Sequence, residues 1–233
     1  SMVVLLNSAH WLRNWNMYGH PLVSGEHRYA NEVFSVQSMI SNVLRNASLH
    51  LGSPFDGLNS SVGSLIIKMH SIIDIDINDV ATTYRGTKYQ QPSFSLHEDV
   101  SGNFVHLVLY IISIIIILMS ADLRKNRRLI LFNICILCSF LLFCLTLKWQ
   151  PWNSRLHLPI LVLLSPVIAI SFLWFFNLRI ATGIIVIVIG LSSPWLLDNA
   201  SRSLIGYFKD GNLSRINYYF TNRPALLNSY MTI

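Results

Sequence analysis

Four apolar stretches restrict what this chain can become more than any other feature. Phe104–Ala121, Leu129–Leu147, Leu156–Phe176 and Ile180–Leu197 run for 18, 19, 21 and 18 residues without one Asp, Glu, Lys or Arg. About 20 helical residues cross a hydrocarbon core about 30 Å thick. Lipid offers no partner for backbone N–H and C=O groups, so such segments cross it as helices. The expected fold class is therefore all-α, a polytopic transmembrane helical bundle with spans at 104–121, 129–147, 156–176 and 180–197. Composition agrees: 12% of the 233 residues are charged, against roughly 25% in soluble domains, and the mean hydropathy is +0.48. That balance excludes a disordered tail and argues against a cytosolic enzyme.

The net charge of +6 would in a soluble domain suggest a nucleic-acid partner. Here the position of the bases gives them another meaning, and no nucleic acid is expected. Arg124, Lys125, Arg127 and Arg128 crowd into Asp122–Arg128 between the first two spans, and Arg179 lies in Asn177–Arg179 between the third and fourth. The loop Lys148–Arg155 on the opposite side has two basic residues and two tryptophans. Basic loops stay cytoplasmic. The segment before Phe104, the Trp149–Trp152 loop and the tail after Leu197 are then expected outside, in a multi-pass protein of the membrane.

The outer segment from His10 to Asn103 is a different kind of sequence. It holds eight of the eleven acidic residues against six basic ones, and six of the eight histidines. Val33, Val36, Ile40, Val43, Leu44, Ala47 and Leu51 recur at helical spacing, as do Val62, Leu65, Ile66, Met69, Ile72 and Ile73. The spacing predicts two amphipathic helices, with Asn31 capping the first and Ser60 or Ser61 the second. Gly52-Ser-Pro54 and Asp56-Gly57 make the turn between them. Their apolar faces are expected to dock over the spans or to lie at the outer leaflet. Ser1–Ala9 reads as the last turns of an apolar helix and lacks the basic region and cleavage site of a signal peptide. The chain is thus expected to be the C-terminal portion of a larger protein: 1–9 a helix end, 10–103 an extracytoplasmic loop region with amphipathic helices, 104–197 four spans and 198–233 an outer tail.

Candidate chemistry is sparse. Asp74, Asp76 and Asp79 resemble the opening of a calcium loop or an Asp-x-Asp metal site, but a calcium loop needs Gly at its sixth place and Glu at its twelfth, where Asp79 and Arg85 stand. The alternation equally fits a short strand with one wet face, and a divalent metal at these carboxylates is the only cofactor the residues leave open. His97-Glu98 lacks the second histidine, four residues on, of a zinc-protease helix, so a turn or capping role before Phe104 is expected. Cys135 and Cys138 have zinc-like spacing but no second ligand pair, and with Cys144 they read as packing inside a span. Phosphate-loop, dinucleotide and hydrolase-elbow motifs are absent from the sequence. Asn46, Asn59, Asn199 and Asn212 begin glycosylation-type triplets.

The most informative stretch is Lys148-Trp-Gln-Pro-Trp-Asn-Ser-Arg-Leu-His-Leu-Pro159. Two tryptophans anchor it at the outer interface and Pro151 stiffens it. Lys148, Arg155 and His157 then sit at headgroup level, where an anionic phosphate is found. Arginine grips phosphate through a planar fork of donors, while a plain anchor needs only Trp and Lys; a belt with snorkelling bases accounts for the same residues. The competing class is a transporter or passive scaffold. Transporters place ionisable or broken-helix features near the midplane, and Pro166, Gly183 and Gly190 bring kinks there without charge.

Trp152-Asn-Ser-Arg155-Leu-His-Leu-Pro159, opening an apolar span, resembles the Arg-Tyr-x-Leu-Pro-type segment of polytopic GT-C glycosyltransferases, the superfamily of bacterial protein O-mannosyltransferase-like and aminoarabinose transferase-like enzymes. Leu156 stands where that pattern has Tyr. Asn7–Asn14 with Tyr18-Gly-His-Pro21, His70–Asp79 and His97–Asn103 are similar to the long outer loop of the same group. The resemblance implies glycosyl transfer on the outer face from a polyprenyl-phosphate sugar to an unidentified acceptor. It implies a catalytic acid nearer the N-terminus than this chain reaches, and a donor lipid-phosphate site at Arg155, Lys148 and His157. Asp74, Asp76, Glu98 and Asp99 are the outer acids clustered enough to contribute.

Overall fold

The computed structural model describes residues 2–19, 29–199 and 224–231, with 204–205, 216 and 220 as isolated positions. His20, Pro21, Asn212 and most of the 198–233 tail lie outside the described residues. Within them the chain is helical: α1 (Met2–Tyr18), α2 (Val36–Ser48), α3 (Asp56–Ile72), α4 (Phe104–Met119), α5 (Ala121–Lys125), α6 (Arg127–Thr146), α7 (Asn153–Leu156), α8 (Leu158–Phe175), α9 (Leu178–Leu197) and α10 (Pro224–Met231). Extended pairing among the described residues is confined to two isolated bridges, Ala30 with Leu147 and Thr83 with Trp149.

Three helices, α6, α8 and α9, are long and apolar enough to cross a membrane. At 1.5 Å per residue, 18–20 residues reach about 27–30 Å. Apolar α4 has 16 residues and reaches about 24 Å. It stops at Ser120, whose Oγ accepts the Leu123 N–H at 3.2 Å and so starts α5. Asn126 and Asn177 start α6 and α9 in the same way, through the N–H groups of Leu129 and Ile180. The basic stretch between α4 and α6 is thus a capped helical turn, with Asp122 at its N-terminal end and Arg124 and Lys125 at its C-terminal end, the order a helix dipole favours.

The apolar core lies between α4, α6 and α8, where Tyr110, Ile116, Ile136, Leu161, Leu164 and Val167 are buried together. The Tyr110 hydroxyl donates to Asn133 Oδ1 at 3.2 Å, and Asn133 Nδ2 donates to the Leu129 carbonyl. This polar pair joins α4 to α6 inside the apolar layer, where it satisfies itself. Helix α9 is attached more lightly: 6% of its most apolar stretch is buried, and Ala181 is its one buried residue.

The segment before α4 reverses the expected orientation of its helices. Helix α2 buries Ser38, Ser41, Asn42, Arg45, Asn46 and Ser48, while Val33, Val36 and Ile40 are exposed. Its N-cap is Ser35, in a capping box with Ser38, not Asn31. Helix α3 starts at Asp56 rather than near Ser60, and it buries Asn59, Gly63, Ile66 and His70; Leu65, Met69 and Ile72 are exposed. The reason lies in what α2 meets. The end of α6 leaves carbonyls with no partner inside its own helix. Asn42 Nδ2 donates to the Cys144 carbonyl at 2.9 Å. Asn31 Nδ2 reaches Leu145 at 2.7 Å and Cys144 at 3.1 Å, and the Asn31 N–H binds the Thr146 carbonyl. An apolar face there would leave those carbonyls unpaired, at a cost of about 1–3 kcal/mol each.

Candidate functional site

The polar stripe of α2 recurs every three or four residues, so it forms one face of the helix, and Arg45 is its centre. The side chain is fully buried. Nη1 donates to the Ile77 carbonyl at 2.8 Å and Thr83 Oγ1 at 2.6 Å; Nη2 donates to Asn42 Oδ1 at 2.6 Å and Thr82 Oγ1 at 3.0 Å. The guanidinium also lies 5.6 Å from the centre of the Trp149 ring, a cation–π contact in a desolvated site. Burial lowers the Arg45 pKa to about 10, against the pull of Asp79 and Asp76, which raise it. The group stays charged at neutral pH, held by dipoles and a ring rather than by a direct ion pair.

Lys148 to His157 lies against this face. Trp149 is fully buried; its backbone N–H donates to the Thr82 carbonyl at 2.8 Å and its backbone carbonyl accepts from the Tyr84 N–H. Asn153 Nδ2 donates to Asn46 Oδ1 at 3.0 Å. Below them, His50 Nε2 lies 2.9 Å from His157 Nδ1, with Phe140 and Phe143 edge-on to the His157 ring. The Asn103 N–H donates to His50 Nδ1, which leaves the hydrogen of a neutral His50 on Nε2, directed at His157. Burial, then the nearby charge of His106, lowers the His50 pKa to about 4. Farther out, Ser41 Oγ lies 2.9 Å from His70 Nε2, and His70 Nδ1 donates to the Ile66 carbonyl, tying α2 to α3. Burial lowers the His70 pKa as well.

The three residues expected at a donor phosphate occupy different environments. Lys148 is buried, paired with Glu32, and donates to the Val80 carbonyl. His157 is 1% exposed and engaged by His50. Arg155 is half-exposed on α7 and bonds Asp99 Oδ1 through Nη1 at 2.6 Å. The outer acids diverge too. Asp76 Oδ1 accepts the Asn78 N–H and Asp79 Oδ1 the Ala81 N–H, so each closes a turn. Asp74 sits at φ +54°, a left-handed conformation Asp tolerates in turns. Glu98 is exposed in the turn beside Asp99. Among the described residues no three His, Cys, Asp or Glu side chains converge as metal ligands. Asn46 and Asn59 are buried, so their triplets are closed to glycosylation in this fold.

An open apolar groove of about 320 Å³ lies between α4, α8 and α9, lined by Leu109, Ile168, Phe172, Ile184 and Val188 together with His106. His106 is tied to the backbone of Leu161 in the first turn of α8, and its Nε2 is buried without a partner. Sequence reasoning missed Arg45, Asn42, Asn46 and His50. The signal was the polar recurrence Ser38, Ser41, Asn42, Arg45 and Asn46, which has the same helical period as the apolar residues beside it. No protein-family model matches this chain, and no match is found among curated proteins or solved structures.

Proposed function

We propose that this chain is part of a multi-pass glycosyltransferase of the bacterial inner membrane, moving a sugar from a polyprenyl-phosphate donor to an acceptor on the outer face. The basic α5 region faces the cytoplasm in this reading, and the α2–α3 region with α7 faces outward. The single observation that carries the reading is the place of Arg155: it is half-exposed on α7, the turn that leads directly into α8, and α8 forms one wall of the apolar groove. Such a groove suits an isoprenoid chain, which has no polar group along its length. An arginine on the turn that opens α8 suits the phosphate.

In the transfer, the bond between the sugar's anomeric carbon and the donor phosphate oxygen breaks, and a bond to the acceptor hydroxyl oxygen forms. The acceptor gives up its proton to a base, and the polyprenyl phosphate leaves with its negative charge. Arg155 stabilises that charge as it develops. Lys148 and His157 act one step back, holding the α6–α8 turn in place through Glu32, Val80 and His50.

The test is turnover of a radiolabelled polyprenyl-phosphate sugar by the full-length enzyme in liposomes. Arg155→Ala is expected to accumulate normally, since the residue is at the surface, and to lower turnover at least about tenfold. Arg155→Lys restores only part of it, because a point charge lacks the planar fork. Full activity in a well-expressed Arg155→Ala enzyme removes the phosphate role.

A further inference from the structure

We propose that Asp99 is a positioning residue for the donor phosphate: it holds the Arg155 guanidinium by one Nη and leaves the remaining edge of the fork for phosphate oxygens. The inference rests on the donor reading of Arg155. Nη1 is 2.6 Å from Asp99 Oδ1, and the Arg155 side chain makes no other hydrogen bond among the described residues. Its Nε and Nη2 form the parallel-donor edge that binds an oxyanion in a bidentate manner.

Asp99 is itself held in place. The Ser154 hydroxyl, adjacent to Arg155 in sequence, donates to the Asp99 carbonyl at 3.3 Å, so two consecutive residues of α7 grip one residue of the facing turn. Further along that turn, a Cβ on Gly102 would come within 2.8 Å of the Leu49 carbonyl; the backbone there lies against the end of α2 with no room for a side chain. The next residue, Asn103, bonds His50. At the other end of the segment, the Phe94 N–H binds the Ser53 carbonyl and Trp195 Nε1 donates to the Ser95 carbonyl at 3.0 Å. The carboxylate is thus delivered by a backbone fixed on both sides.

An ion pair this exposed adds little to stability. What it changes is the freedom of a long side chain. A free arginine samples many rotamers and loses them on binding phosphate; one already oriented has less to lose. Asp99 contributes orientation at the expense of some positive potential, so a neutral acceptor at the same place should orient without that offset.

The experiment uses the full chain in phosphatidylcholine nanodiscs, titrated with a polyprenyl monophosphate. Asp99→Ala should weaken binding about two- to tenfold with an unchanged melting temperature. Asp99→Asn, which keeps an acceptor oxygen, should bind at least as tightly as the parent. Asp99→Ala combined with Arg155→Ala should bind no more weakly than Arg155→Ala alone, because Asp99 acts only through the arginine. Unchanged or tighter binding by Asp99→Ala, beside a defective Arg155→Ala, overturns the positioning role and leaves the donor reading standing. Additive losses in the double variant also overturn it. Parent-like binding by Arg155→Ala strikes the donor reading itself.

Discussion

Helix α6 joins two regions built on opposite rules. Along most of its length it packs against α4 and α8 through apolar side chains, while Leu131, Ile134 and Leu142 point away from the bundle and are just as apolar. At its C-terminal end the interior is polar: Asn31, Asn42, Arg45, Asn46, Asn153 and His157 are all buried. The first region is apolar inside and out, so hydrophobicity does not choose which face is buried; shape and one Tyr110–Asn133 bond do. In the second, directed hydrogen bonds choose the face, and α2 turns its apolar side outward to supply them. A buried polar network of this kind specifies one arrangement through the members that are satisfied. It is correspondingly sensitive to the loss of any one of them. Arg45 Nε, Asn153 Oδ1 and His157 Nε2 are buried without a partner among the described residues.

That contrast can be broken by substitution. Arg45→Ala should be the most damaging change, because it leaves Ile77, Asn42, Thr82 and Thr83 acceptors unpaired; the loss is on the order of 4 kcal/mol. In a detergent melt or a yield of folded protein it should far exceed Ile187→Ala on the exposed side of α9, expected within about 0.5 kcal/mol. Equal effects would mean that the outer interior is not held by directed bonds. Next in size is a paired test of orientation. Ile66→Asp should cost on the order of 3 kcal/mol, since Ile66 is buried on α3 and the new carboxylate would have no partner. Ile40→Asp on α2 should be nearly silent in detergent, and protease resistance lost equally in both variants would restore the apolar-inward orientation.

The smallest effect is a dependence on pH. The fold keeps His50 neutral, with a pKa of about 4 against 6.5 when unfolded. Its contribution is therefore complete above pH 6.5 and is lost as pH falls toward 4. Between pH 7 and pH 5 the loss is on the order of 2 kcal/mol, read as a falling melting temperature. His50→Gln should flatten that slope, and an unchanged slope would place the titration elsewhere.

How far the sequence could be read follows the same division. Helices α6, α8 and α9 were legible because a run of residues that avoids charge needs only counting. The caps at Ser120, Asn126 and Asn177 end and restart the chain close to where the charges cluster. The outer segment was legible as helix but not as to its face. Val33, Val36 and Ile40 repeat at one angle, and Ser38, Asn42 and Arg45 repeat at another with the same period. Deciding between them required knowing that the facing surface would be the carbonyl end of α6, about a hundred residues away. Arg155 stood out by residue type and Asp99 as one of a cluster of acids, whereas their pairing did not, because the link between them is a turn held by Gly102, Asn103 and Ser154.

The bond from Asn42 to the Cys144 carbonyl spans 102 residues of sequence, and that separation sets a clock on assembly. At a synthesis rate of about 5–20 residues per second, α2 emerges roughly 5–20 s before its acceptors exist. During that interval the face it will finally bury is exposed. A greasy face would be at risk of sticking to whatever passes, but one made of Ser, Asn and Arg is well solvated and can wait. The inward polarity of α2 therefore means that this face needs no cover while its partner is missing, because water satisfies the same groups that the end of α6 later binds.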